Sequence, residues 1–546
     1  MPSSMLSLSR SPARLAAALL AALAIAAIPH ERALAAALPA PPKTFDTSYA
    51  PPSGKTWPVA AGGNLQAALD QAQLGDTIAL EAGATFTGRF TLPNKTTGTG
   101  WIYVVSSKLA SLPAAGQRVA PSDAVNMPKI MAKPADTAIV TVANSNHFRF
   151  VGIEFATTAG ALSYQLINIG NGDTSPATLP NNIIFDRCYI HGDPAANNRR
   201  GIMMNGAYVA VVDSYISDFQ EAGADSQTIL STNTTGPLQI RNNYLEAAGE
   251  NIMFGGADSK SPALVPADIE LRNNHFFKPL SLLQTKNTIK NLLEFKAGQR
   301  VLVIGNTFEN NPLSAQSGFA ILITPRNNGS APWAITSDIE FNGNTLINVG
   351  SGFNVAGLDN FHVTQMTERV LIHNNLVGVT GLNKADGRAF QFIAGGGDYT
   401  VDHNTVINSA LPPATPGSTV GFAESKRGKI TNFVFTNNLA TFTSWGFFGS
   451  GAGEGTKPLN TYFTDWTFSK NVLVNRPAAD YPAGNFFPTN VTAVRFANVT
   501  GGNYTLAVDS PYKNAGTDGT DIGANLGSAQ IATATAPNPP SNVVVK

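Results

Sequence analysis

Apolar and polar positions repeat along this chain in a fixed frame. A short run alternating apolar and polar residues is followed by a polar residue or Gly, an Asn, one further residue and an apolar one. The frames read LQIRNNYL, IELRNNHF, VLVIGNTF, IEFNGNTL, VLIHNNLV, YTVDHNTV, FVFTNNLA and WTFSKNVL. Their asparagines are Asn243, Asn274, Asn306, Asn344, Asn375, Asn404, Asn438 and Asn471, spaced 29 to 38 residues apart. Two earlier frames, IIFDRCYI and VAVVDSYI, carry Cys188 and Ser214 at the Asn position. The alternation has the period of a strand, not of a helix. A strand-built repeat of this length predicts a solenoid of stacked β coils, an all-β fold. Each repeat reads as three strands. In one coil they are FAILITP, DIEF and TLINV, with the Asn at the corner between the second and the third. The long segments follow the third strand, among them 278–291 and 309–318, and long loops on one side are where a solenoid places function.

An Asn at every turn has a physical use. Its amide carries both donors and an acceptor. Stacked at the strand spacing of about 4.8 Å, each amide can bond the ones above and below, as in the Asn ladders of cross-β stacks. Asn also tolerates the left-handed backbone of a sharp corner. The eight asparagines are therefore expected in one column. Ahead of the coils, Asn64 is placed to cap a short helix with Leu65, Ala68, Leu69 and Ala72 on one face. Such a helix would cover the open end of the first coil, which otherwise exposes unpaired strand edges.

Composition sharpens this. The 546 residues include 50 Gly and 35 Pro, and only 13% are charged, as expected of a turn-rich β protein. Arg10 and Arg14, the apolar run Leu15 to Ile28 and the small residues Ala33-Leu34-Ala35 predict a cleaved export signal over residues 1–35, and a secreted or periplasmic protein. That run is too short to span a membrane. Residues 36–60 are proline-rich and read as a linker or wrapping arm; 61–525 hold the coils; 526–546 read as a linker tail. Beyond the signal the chain carries 33 basic and 35 acidic residues, which argues against a nucleic-acid partner. A monomer is expected. Cys188 is the only cysteine, so no intrachain disulfide exists, and at a ladder position it reads as a small buried residue.

The coil pattern, the capping helix followed by GDTIAL, and the ending NYTLAVDSPYKNAGTDGTDIGANLG together resemble the right-handed parallel β-helix superfamily of pectate lyases and related polysaccharide enzymes. The resemblance covers most of residues 57–525 and implies the fold, with an N-terminal capping helix. It leaves the activity open, because this fold hosts lyases, hydrolases, esterases, epimerases and binding proteins. The NTD, GHG and RIK motifs of polygalacturonases are absent. Asp402-His403 echoes part of a pectate lyase motif but lies just before a ladder Asn. The run NLLEFKAGQRVLVIGNTFENN followed by FAILITPRN resembles the chondroitinase B and alginate lyase group. That resemblance implies catalytic roles for Lys296 and Arg326 and a metal-binding role for Glu294, although Glu294 and Lys296 stand closer together here than in that group.

Strand alternation gives its own reading of the same segment. In LLEFK, Leu293 and Phe295 face inward, so Glu294 and Lys296 face out. Aligning first strands puts Met253 and Gly255 below them and Leu322 and Thr324 above. Glu250 and Asn251 open the coil below, and with Glu294 they are oxygen ligands suited to Ca²⁺. Lys278, Lys286 and Lys290 lie in the loop leading to Glu294, and with Asn205 they are the substrate-binding candidates. The chemistry implied is β-elimination on a uronic acid. Arg or Ca²⁺ would stabilise the enolate, and a Lys near other cations would serve as base. The expected partner is thus an acidic polysaccharide and the leading activity a lyase. A non-catalytic glycan-binding or cell-surface adhesion protein, and a β-helix glycoside hydrolase, stay open as alternatives.

Overall fold

The structure, a computed structural model, describes residues 36–50, 52–170, 172–408, 418–441 and 443–526. The export-signal reading of 1–35 and all but the first residue of the 526–546 tail lie outside the described residues. Among the described residues three sheets of 13, 14 and 13 strands run the length of the solenoid, parallel except where Gly453–Glu454 pairs antiparallel at the end of the first. They correspond to the first, second and third strand of each coil. In the coil used above, these are Phe319–Ile323, Thr336–Asn342 and Thr345–Val349. Every coil adds one strand to each sheet in register, as where Glu294 pairs with Met253 below and Leu322 above.

Inside, apolar side chains stack coil on coil. Phe150 lies on Phe185, Phe254 on Phe295, Phe276 on Phe308 and Phe435 on Phe468, with ring centroids 5.3, 5.3, 4.5 and 5.1 Å apart. Burying each such ring contributes about 1.5–3 kcal/mol. One core cluster runs from Val59 to Tyr481.

At the corner between second and third strands, Asn243 Nδ2 donates to Asn274 Oδ1 at 3.0 Å, and the same bond joins Asn274 to Asn306, Asn306 to Asn344 and so on to Asn471. Asn485, outside the repeated frame, receives the last one at 3.0 Å. Each Oδ1 also accepts the backbone N–H of the Asn below, as Asn344 Oδ1 does from Asn306 at 2.9 Å. Each Nδ2 also reaches a backbone carbonyl, that of Leu271 for Asn306. The amides are therefore saturated although fully enclosed. Downward, Ser214 N–H donates to Asn243 Oδ1 and Cys188 N–H to Ser214 Oγ, so the two substituted frames join the same stack. The left-handed backbone falls one residue earlier than the ladder Asn. Asn242, Asn273, Asn374, His403 and Asn437 have φ between 49 and 56°, and Gly305 and Gly343 fill the same place. One residue turns the corner and the next bonds the stack. Asp402-His403 belongs to this corner: His403 Nδ1 bonds Asp402 Oδ2 at 2.7 Å and its Nε2 bonds Thr520 Oγ1 at 3.0 Å.

Both terminal segments lie along the coils. Helix α1, Leu65–Gln71, is capped by Asn64, whose side chain accepts from Ala67 N–H. It buries Leu65, Ala68 and Leu69. Its Gln66 side chain both donates to and accepts from the backbone of Thr91, satisfying the edge strand of the first sheet. The arm ahead of it crosses the outside of the second sheet. There Asp268, Asp338 and Asp398 sit at left-handed positions and are bonded by Arg300, Arg369 and Asn432 of the next coil up. Backbone N–H groups of Lys43, Ala40 and Ala37 donate to those same aspartates at 2.9, 3.1 and 3.1 Å. Three residues of extended proline-rich chain advance about 9.3 Å, and two coils rise about 9.6 Å, so every third N–H meets every second coil.

Replacing Asn306 with Leu is expected to lower the melting temperature sharply. It removes the acceptor of the Asn274 backbone N–H and the side-chain donor to the Leu271 carbonyl, and a buried group left unpaired costs about 1–3 kcal/mol. A melting curve of the variant superimposable on that of the parent would show that the stack does not hold the coils.

Candidate functional site

The outward face of the first sheet carries one side chain per coil in a column: Met253, Glu294, Leu322, Asn354, Gln391, Phe422 and Phe448. On the strand Leu293–Phe295, Leu293 and Phe295 point into the core and are fully buried. Glu294 points outward, yet only 2% of its side chain is exposed. The cover comes from the loop over 278–292, which folds back beside 221–225 through Thr288 N–H to Glu221 and Lys290 N–H to Ala248.

Glu294 sits in a cluster of charges. Lys296 Nζ lies 3.6 Å from Glu294 Oε1 and is 17% exposed. Lys290 Nζ is 2.6 Å from Asp225 and 3.5 Å from Glu250 Oε1. Glu250 accepts from Gln227 at 2.7 Å, and Gln227 accepts from Arg200 at 3.0 Å, on successive coils. Glu250 Oε1 and Glu294 Oε2 are buried without a hydrogen bond. Burial pushes the Glu294 carboxyl up to about 7, with Lys296 opposing and Glu250 adding to the rise. Two buried carboxylates side by side cannot both ionise cheaply, so Glu250 adds to the cost of ionising Glu294.

Arg326 is tied to the same strand end. Its backbone N–H donates to the Lys296 carbonyl at 2.9 Å, and its guanidinium bonds Asp359 Oδ1 at 2.7 Å. Asp359 also accepts the Asn327 N–H, so it holds both the turn and the side chain. Lys286 is exposed on the covering loop.

Three candidates do not face the site as the sequence suggested. Lys278 is 1% exposed and turned into the coil, where its ammonium donates to the carbonyls of Ala247, Ala248 and Gly249 and to Asn251 Oδ1. It is an internal plug at the corner, not a substrate contact. Burial pulls it down to about 7, against the pull of Glu250 and Glu246, while four oxygen acceptors require its ammonium protons. Asn251 turns inward with it, donating to the carbonyls of Leu245 and Phe277. Asn205 accepts the N–H groups of Thr232 and Asn233 and closes a turn of the coil above. All three lie at or just beyond a strand end, where the backbone leaves the pleat and turns the side chain toward backbone partners of a neighbouring coil.

With Asn251 committed elsewhere, the Ca²⁺ expectation reduces to two carboxylates, each already facing an ammonium. Ca²⁺ takes six to eight oxygens, and among the described residues no three His, Cys, Asp or Glu side chains are grouped to hold a metal. The donor set does not fit this ion.

A feature not read from the sequence lies further along the same column. A cleft of about 680 Å³ is lined by Arg388, Gln391, Phe422, Phe448, Lys426 and Arg427 among others. Its signal was present in GFAE and GFFG, first strands with an outward aromatic residue.

No protein-family model and no curated protein sequence matches the chain. Among solved structures it is similar to the PL6 family alginate lyase AlyGC, at 11% identity over 88% of this chain and 59% of that one, with a TM-score of 0.50. The fold is the right-handed parallel β-helix. Other similar structures are a GH87 α-1,3-glucanase from Streptomyces thermodiastaticus strain HF3-3 (16% identity, 82% and 72% of the two chains, TM-score 0.47) and the tailspike of E. coli bacteriophage HK620 in complex with a pentasaccharide (10%, 80% and 64%, 0.39). No helix among the described residues of this β-helix is long and apolar enough to cross a membrane.

Two tests follow. Glu294 binds its proton more tightly folded than unfolded, so it favours the fold below its ordinary value of 4.5 and loses that contribution as pH rises through about 7. Glu294→Gln should therefore raise stability at pH 8 by about 2–3 kcal/mol, and the gain should shrink toward pH 5 in denaturant titrations. A gain that does not depend on pH would contradict the burial of an ionisable carboxyl here. Lys278→Met should destabilise by about 3–5 kcal/mol, because it strands four oxygens inside the coil; a chemical-denaturation midpoint equal to the parent's would remove the plug from the account.

Proposed function

We propose that this β-helix acts on an extracellular acidic polysaccharide by β-elimination, on the outward face of its first sheet. The observation that carries the proposal is the Glu294–Lys296 pair: a buried carboxyl whose proton affinity is raised, 3.6 Å from the partly accessible Lys296 Nζ, with Lys290 close by. Lys296 as the amine takes the proton from the carbon beside the uronate carboxylate. The electrons of that C–H bond form the new C=C bond, the glycosidic C–O bond breaks, and the leaving oxygen takes the proton back from the Lys296 ammonium. Glu294 holds Lys296 in place. Arg326, oriented by Asp359, meets the substrate carboxylate and stabilises the developing enolate. No step passes through a metal, so turnover should persist in a chelator. The export signal read over residues 1–35 would carry the protein out of the cytoplasm to such a substrate.

Hydrolysis fits less well. A glycosidase needs two carboxyl groups flanking the scissile bond, and Glu250 and Glu294 are both nearly sealed from solvent. Glycan binding without chemistry is favoured by one observation, the aromatic cleft beside Arg388, whose Glu424–Lys426 pair stands open to solvent, Lys426 being 88% exposed.

A panel of uronate polymers assayed for the ultraviolet absorbance of the unsaturated product tests the reading. Lys296→Ala is expected to abolish product without lowering the melting temperature, and Lys296→Arg to fail as well, since guanidinium does not deprotonate in this range. Activity retained in the Ala variant removes Lys296 from the mechanism, and activity retained only in the Arg variant leaves it as a source of charge.

A further inference from the structure

Two elements close to the far end of the first sheet form the cleft. The strand Thr419–Glu424 presents Phe422, and the strand Trp445–Gly449 presents Phe448 one coil above, with the rings 6.1 Å apart and inclined by 25°. Trp445, 40% exposed, lies 5.0 Å from Phe448. The Arg388 guanidinium lies 4.0 Å over Phe422, and its Nε is buried without a hydrogen bond. This combines an apolar ring surface with cations at its rim. Arg388, Lys426 and Arg427 face two acids, Asp386 and Glu424. Lys426 is 88% exposed and reaches Glu424 only at 3.5 Å, so it is free to meet another anion.

The cleft is continuous with the Glu294 site. Arg388 donates to Gln391 at 2.5 Å, and Gln391 donates to Asn354 at 3.0 Å, one coil nearer. Asn354 pairs in register with Leu322, and Leu322 with Glu294. Phe422 is thus four strands from Glu294, about 19 Å at the usual strand spacing. An extended glycan lying along the axis spans that distance with several sugar units, its hydroxyls meeting Asn354 and Gln391.

Resting on the proposed function, we infer that the cleft is a distal subsite for an acidic sugar of the same polysaccharide. The apolar face of the pyranose packs on Phe448 and the edge of Phe422, and its carboxylate meets Arg388 and Lys426. The subsite grips the chain remote from the bond that is cut, so it raises affinity for polymer without entering the chemistry.

Affinity electrophoresis in gels containing alginate, polygalacturonate or neutral dextran tests binding directly, and turnover of polymer and of a trisaccharide is followed in parallel. The wild type should be retarded by an acidic polymer and not by dextran. Phe448→Ala and the surface change Lys426→Gln should lose at least fivefold in retardation with unchanged melting curves. Phe448→Ala should raise KM for polymer several-fold while leaving kcat and trisaccharide turnover unchanged. Retardation equal in parent and both variants, equal retardation in dextran, or none in any acidic gel overturns the subsite. Retardation that depends on Phe448 and Lys426 while no uronate polymer is cleaved upholds the subsite and sinks the lyase reading alone. Cleavage with variant-independent retardation does the reverse.

Discussion

The amide stack at the second corner sets everything else. Each Asn bonds the coil above through its backbone N–H and its Nδ2, accepts from the coil below at its Oδ1, and leaves no polar atom unpaired. Slipping one coil by a single residue would break several buried bonds at once and turn every outward side chain of that coil inward. The stack therefore fixes the register of all three sheets. Register decides that Glu294 stands over Met253 and under Leu322, and that Gln391 leads from Asn354 to Phe422. The column of functional candidates on the first sheet is a consequence of a bond made at a different corner.

Buried polar groups in this molecule fall into two kinds. Lys278 and the ladder asparagines are enclosed and saturated; they join neighbouring coils and add rigidity. Glu250 and Glu294 are enclosed and short of partners. An unsatisfied carboxyl in a low-dielectric site lowers stability, and such groups persist where a protein uses their perturbed proton affinity. That contrast marks the Glu294 region as the candidate site among several charged clusters of similar composition. The pair Arg149–Asp186, for comparison, is as deeply buried but is bonded twice, at 3.2 and 2.6 Å, and accounts for itself as structure.

The arm over 36–50 shows the same stacking logic from outside. Its backbone N–H groups lie on a ladder of aspartates whose spacing is that of the coils, and Gln239 and Arg149 hold the carbonyls of Phe45 and Ser48 further down. A solenoid contacts only its neighbouring repeats. A strap that touches coils from Arg149 to Asp398 adds contacts between repeats far apart in sequence, and does so without a disulfide. At the other end, the stretch from Thr517 to Asn525 returns along the Asn corner, bonding Asn437, Thr405 and Asn374.

How much of this could be read without coordinates depends on whether the determinant is local. The strand period, the Asn frame, the capping helix and the inward placement of Leu293 and Phe295 follow from alternation and repeat spacing, which act over a few residues and recur in every coil. Lys278 and Asn251 could not be placed that way, because they lie where strands end and the pleat that assigns faces has gone. The corner conformation was assigned one residue too late, since an Asn-Asn pair offers two residues suited to a left-handed turn and only packing chooses between them. Glu294 could be read as outward but not as buried: its cover is the 278–292 loop, whose path depends on bonds to Glu221 and Ala248 from other coils. The aromatic cleft lay beyond reach for the same reason, as it joins side chains from several successive coils. Sequence alone determined the solenoid and which face each mid-strand residue takes. Tertiary structure decided which outward groups are sealed, paired or left waiting for a partner, because burial and partnership belong to neighbours about 30 residues apart along the chain and one strand spacing, about 4.8 Å, apart in space.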